Sequence, residues 1–145
     1  MQLQNPQEIE AKVEARFRVF FILWGGILFS VGILATFGVV VASKGAPNPT
    51  LSYALVGIGV MMVAMSFLVK QNLAQKAIDK NDIEALQSAH VVTLALCESA
   101  TLFGILNHFT TGSKLSWFLF AISVVGILMN VPSKDQIRAV LYKSD

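Results

Sequence analysis

The chain has 145 residues, a net charge of +2, and 54% hydrophobic against 14% charged side chains, where a soluble domain carries about a quarter charged. Its charges fall between long apolar runs, which is the pattern of an integral membrane protein. The small, scattered basic excess excludes a nucleic-acid binder; the single cysteine excludes an intrachain disulfide, and no Cys/His cluster has zinc spacing.

In chain order, residues 5–18 open with Asn5 as N-cap, Pro6 as first helical residue and Glu8 as N3 partner. Ile9, Val13, Phe17 and Phe20 recur at helical spacing. This predicts either an amphipathic lead-in on the membrane surface or the solvated first turns of the next span. Residues 19–42 are free of charge and form the first span, too long for the apolar core of a secretory signal, which runs to about 15 residues. Gly26 with Ser30 and Gly32 with Thr36 are small pairs that let helices approach closely.

Gly45, Pro47, Asn48 and Pro49 mark a turn, and residues 51–69 are the second span, with Gly57 and Gly59 as packing positions and Met61, Met62 and Met65 as filler. Residues 70–84 are the longest polar connection, partly helical. Residues 85–109 are the third span and 115–131 the fourth, with Trp117 as an interface anchor and Pro132 as the stop. In the tail, residues 132–145, Ser133 and Gln136 cap a short helix with Ile137, Val140 and Leu141 on its apolar side.

Orientation follows from Lys and Arg. With both termini and residues 70–84 on one side, nine basic residues lie there, against Lys44 and Lys114 on the other. Both termini are therefore expected in the cytoplasm. The expected fold is an all-α integral membrane protein, one domain of four transmembrane helices in two antiparallel hairpins. No cleavable targeting segment is apparent, and the expected location is the bacterial inner membrane or its equivalent.

The third span carries the one acid of the apolar runs, Glu98, near its middle. A charge at bilayer depth costs at least ~2.5 kcal/mol, so such a residue usually faces protein or a wet cavity. At about 100° per residue, His90, Cys97, Thr101, Gly104 and His108 fall on one stripe, with Thr93 and Glu98 at its borders. Thr93, Cys97 and Gly104 are expected to pack against neighbouring helices. His90, Glu98 and His108 form a row that waters could bridge into a proton path; either histidine is also of a type that ligates heme or chlorophyll. A bland reading of Glu98 stands beside these: a protonated carboxyl hydrogen-bonded to another span, holding the helices in place.

The run Glu98-Ser99-Ala100-Thr101-Leu102-Phe103-Gly104-Ile105 resembles the second helix of the proteolipid, or subunit c, of rotary ATP synthases and vacuolar-type ATPases. There an ion-binding acid is followed six residues later by glycine after an aromatic. The resemblance covers residues 51–109 and implies that Glu98 is the ion-binding carboxylate and Ser99 the adjacent hydroxyl; Thr101, on the small polar stripe, is a further candidate, while Ser99 projects to the greasy side, away from it. The functional expectation is a small proteolipid-like protein handling a proton or cation at Glu98. Its partners would be the bilayer and either further copies of itself or the subunits of a larger membrane complex. The alternative is a non-catalytic accessory subunit of such a complex. The spans hold one acid and no base at hydrogen-bond spacing, so no enzyme, metal or cofactor is expected.

Overall fold

The structure is a computed structural model that describes residues 6–42 and 45–143, except the side chains of Pro6, Val39 and Lys143. Five helices follow one another: α1 Pro6–Val40, α2 Pro49–Asp79, α3 Ile83–Thr111, α4 Leu115–Met129 and α5 Lys134–Lys143. No strand occurs among the described residues. The first three helices, 35, 31 and 29 residues long, are long and apolar enough to cross a membrane. A fourth crossing arises if α4 and α5, which meet at a 44° bend, count as one span.

Of the two readings of the N-terminal stretch, the first turns of the next span are what is seen, and the partly helical connection is mostly helix. Residues 6–18 and the first span are one continuous helix, and Asn5 lies outside the described residues. The lead-in does not lie apart on a surface. Its apolar side, Ile9, Val13 and Phe20, is buried with Ile137 and Val140 of α5, Ala74 and Ala77 of α2, and Leu86 of α3. Most of residues 70–84 is helical as well, because Ala74 and Ala77 recur on the buried face and carry α2 onward to Asp79. The actual turn is Lys80 to Asp82. Asn81 adopts φ 52° there, a left-handed conformation that Asn tolerates well, and Asp82 Oδ1 accepts the N–H groups of Glu84 and Ala85 at 2.9 Å to start α3. At the far end Gly112, φ 62°, closes α3 as a left-handed cap.

The expected pair of antiparallel hairpins is also revised: α1 does not pack along α2, and the two share only the buried cluster at the end that holds Ile9 and Ala77. Helix α3 is the hub. It packs along α2 and α4 on one side and along α1 on another, and touches α5 near its start. The reason lies in a seven-residue repeat of small or polar residues: Ser52, Gly59 and Ser66 on α2; His90, Cys97, Gly104 and Thr111 on α3; Ser116, Ser123 and Asn130 on α4. All ten are buried. A heptad of small residues brings three helices close along one seam. A Cβ on Gly59 would meet Leu119 at 2.6 Å, and one on Gly104 would meet Phe120 at 2.6 Å. The other expected packing glycines are idle: Gly57, Gly26 and Gly32 have nothing within 4 Å.

Candidate functional site

Helices α1 and α3 run parallel, and their seam brings together the row His90, Glu98 and His108. His90 stacks on Phe20, with ring centroids 5.6 Å apart and planes 11° off parallel. Glu98 Oε1 accepts a hydrogen bond from Ser30 Oγ at 2.8 Å. His108 Nε2 donates to the Val41 carbonyl at 3.1 Å. Each member of the row thus meets α1 at its own level, and the three do not touch one another. The stretches between them are several helical turns of mostly apolar side chains.

Glu98 is half-buried close to the midpoint of α3. It lies on the same stripe as Glu84, Gln87, Ser88 and Val91, residues that line an open groove with Arg16 of α1 at the start of the seam. No ion pair to Glu98 exists among the described residues. The pair it forms with Ser30 works in both protonation states. An ionised carboxylate accepts from the hydroxyl, and a protonated carboxyl can donate to the same oxygen.

The other two residues of the candidate ion site turn elsewhere. Ser99 Oγ donates to Ala95 O of its own helix at 2.9 Å. Thr101 Oγ1 donates to Ser123 Oγ of α4 at 2.8 Å. Glu98, Ser99 and Thr101 therefore face three directions and do not converge. Among the described residues no group of three His, Cys, Asp or Glu side chains is placed to hold a metal ion.

Thr101 and Cys97 belong to a hydrogen-bonded ladder across α2, α3 and α4. Ser123 Oγ passes on to Cys97 O at 2.7 Å, Cys97 Sγ reaches Ser66 Oγ at 3.2 Å, and Ser66 Oγ donates to Val63 O at 2.7 Å. Asn130 Nδ2 donates to Gly126 O at 2.7 Å and touches Cys97 Sγ at 3.8 Å. Thr93 Oγ1 is satisfied by Ala89 O at 2.8 Å. The sequence reading gave Ser30 only a packing role, in a small pair with Gly26, and singled out neither Ser66 nor Ser123. The seven-residue spacing would have found Ser66, Ser123 and Asn130. Ser30 stands outside that repeat and has no comparable signal.

At the start of the seam the buried His90 has no partner at Nε2. It borders a narrow cleft with Lys70 of α2 and Gln136 of α5. The tail helix is clamped over this end by charge. Arg138 grips Glu10 through two bonds of 3.0 and 3.1 Å, and Lys134 reaches Glu14 at 2.6 Å and lies over the Phe17 ring. The Arg138 guanidinium beside Glu10, and the Lys134 ammonium beside Glu14, hold both carboxyls below the usual 4.5; these groups precede the charge-free part of α1. Comparison with protein-family models, with curated proteins and with solved structures finds no match to this chain.

Proposed function

We propose that this chain is a four-span membrane protein with both termini cytoplasmic, whose working group is Glu98, a carboxyl that takes up and releases a proton. The observation that carries this reading is the Glu98–Ser30 pair. It is a lone acid at mid-helix depth, partly buried at a helix seam, with a single hydroxyl partner and no cation beside it among the described residues. A hard metal cation asks for about six oxygen ligands, whereas a proton needs one carboxyl oxygen and an acceptor. The pair suits the proton. The likeness of residues 98–105 to a rotary-ATPase proteolipid helix supports the same choice of residue, and the excess of basic residues at the chain ends supports the orientation. An acid at bilayer depth that is not fully buried further favours an oligomer or a larger complex, in which a neighbour covers it.

A second reading rests on a separate observation. Cys97, Thr101, Ser123, Ser66 and Asn130 all find hydrogen-bond partners inside the bundle, as expected of an accessory subunit whose polar residues only hold helices together. Two measurements on Glu98 separate the readings. Dicyclohexylcarbodiimide, which needs a protonated carboxyl in an apolar place, should modify Glu98 faster as pH falls. Glu98→Gln should leave the melting temperature nearly unchanged and abolish proton flux in proteoliposomes. An unlabelled Glu98 together with undiminished flux in the Gln variant would refute the proton reading. Orientation is checked by cysteine labelling in a Cys97→Ala background: position 114 should react with an external reagent, and position 76 should not.

A further inference from the structure

At the end of the bundle opposite the chain termini, a cavity of about 240 Å³ opens between the start of α2 and the α3–α4 turn. Asn48, Ser52, Tyr53, Thr111, Ser113 and Leu115 are among the residues on its wall, and no acid is. Two helices begin here. Asn48 caps α2 by accepting the Leu51 N–H at 3.1 Å, and Ser113 Oγ accepts the first N–H of α4, from Leu115, at 3.2 Å. Each helix N-terminus is equivalent to about half a positive charge, and the residue preceding α4 is Lys114.

Helix α3 ends at the same place and brings about half a negative charge, with the His108 carbonyl of its last turn accepting the Gly112 N–H at 3.0 Å. Two N-termini outweigh that one C-terminus, so the balance left at the cavity is positive. Two donors have no partner: the hydroxyl of Ser52, a wall residue only 2% exposed, and Asn107 Nδ2, which lies off the wall, fully buried one turn deeper on α3. A buried donor left unpaired costs about 1–3 kcal/mol, so a ligand that accepts hydrogen bonds gains here. Tyr53 and Trp117, 67% and 49% exposed, stand on the same end of α2 and α4; such rings mark the headgroup level of a bilayer.

We propose that this cavity binds the phosphate of a membrane-lipid headgroup, with the Ser52 hydroxyl as its buried donor and the first turns of α2 and α4 supplying the positive field. Free phosphate offers the same chemistry, and the aromatic pair at headgroup depth favours the lipid.

The test uses the full chain in detergent, with lipid retention read by native mass spectrometry. Phosphatidylglycerol should be retained, and a galactosyl diacylglycerol of the same acyl chains, which lacks phosphate, should not. Ser52→Ala should weaken phosphatidylglycerol binding about tenfold or more, the loss of a hydrogen bond to a charged group. Thr36→Val, on the exposed face of α1, should bind as the native chain does. Displacement of the lipid by inorganic phosphate would assign the site to the free anion, and retention against it would assign the headgroup. Equal retention of the two lipids overturns the proposal, as does unchanged binding in a Ser52→Ala protein of native melting temperature. If that variant does not fold, the comparison of the two lipids on the native chain decides alone.

Discussion

The two sides of α3 solve the same problem differently. Toward α2 and α4 the contact is built from small residues at van der Waals range, and its hydroxyls, thiol and amide are locked into a ladder of hydrogen bonds. Toward α1 the contact is built from larger side chains, Phe20, Trp24 and Ile27 among them, and its polar links are few and spaced apart: Phe20 to His90, Ser30 to Glu98, Val41 to His108. Trp24 Nε1 adds one link to α4, donating to Ile127 O at 2.9 Å. Ser52 Oγ and Asn130 Oδ1 are left without a partner in it, yet a seam so tightly packed and so largely bonded resists rearrangement. A seam with isolated polar contacts lets one group change its protonation state without dismantling its neighbours. That is why the ladder, although richer in polar atoms, is the scaffold, and the sparser seam holds the candidate site.

Substitutions can break this comparison at either side. The largest effect should come from Gly104→Leu, since even a Cβ would meet the Phe120 ring at 2.6 Å. Overpacking of this kind costs ~1–3 kcal/mol or more, and a detergent melt should show it, while Gly57→Leu, in open space, melts as the native chain does. Thr101→Val removes a rung and should cost ~0.6–1.7 kcal/mol, the range for hydrogen bonds between membrane helices. Ser30→Ala should lie at or below the low end of that range, because its partner is only half-buried. Equal losses for Thr101→Val and Ser30→Ala would erase the distinction between the two seams.

The smallest expected effect sharpens the comparison at the chain ends, where α1 is tied by charge. Glu10 and Glu14 have folded pKa values below the ordinary 4.5. Their contribution is complete above that ordinary value and is lost as pH falls through the depressed ones. Tail helix α5 should therefore become more sensitive to limited proteolysis below about pH 4, as the unshifted carboxylate range ends. Arg138→Gln should reproduce part of that sensitivity at neutral pH. Both carboxylates are exposed, so the effect is modest and should weaken in high salt.

Much of the architecture was legible in the sequence because hydropathy and turn residues speak locally. The second and third expected apolar runs fall inside α2 and α3, the first overruns the end of α1 by two residues, the fourth starts at Leu115 as expected, and Gly112 closes α3. Charge blurred periodicity: residues 70–84 read as a polar connection that is only partly helical, yet Ala74 and Ala77 keep the helical face buried as far as Asp79. Which helices touch was not legible. Glycine pairs in α1 have the composition of a contact and meet nothing, because the heptad seam on α2, α3 and α4 is the better fit. At the candidate site Glu98 stood out as the lone acid of the spans. Its partner did not, since Ser30 is one unremarkable hydroxyl sixty-eight positions away, and nothing local joins the two.

The seven-residue repeat carries an ambiguity of alignment. If α4 slid by one repeat along α3, Ser116 would replace Ser123 opposite Thr101, and one small hydroxyl would stand for another. Hydrogen bonding alone barely distinguishes the two alignments. What does is Leu119, the one bulky member of its heptad row, which fills the notch left by Gly59 and lies beside Gly104, where Phe120 packs as well. In the slipped alignment either Gly112 or Gly126 would come to that notch, leaving a void. A lock made of one leucine and two glycines thus selects the native alignment, and the short link from Gly112 to Lys114 leaves α4 little slack to reach the other.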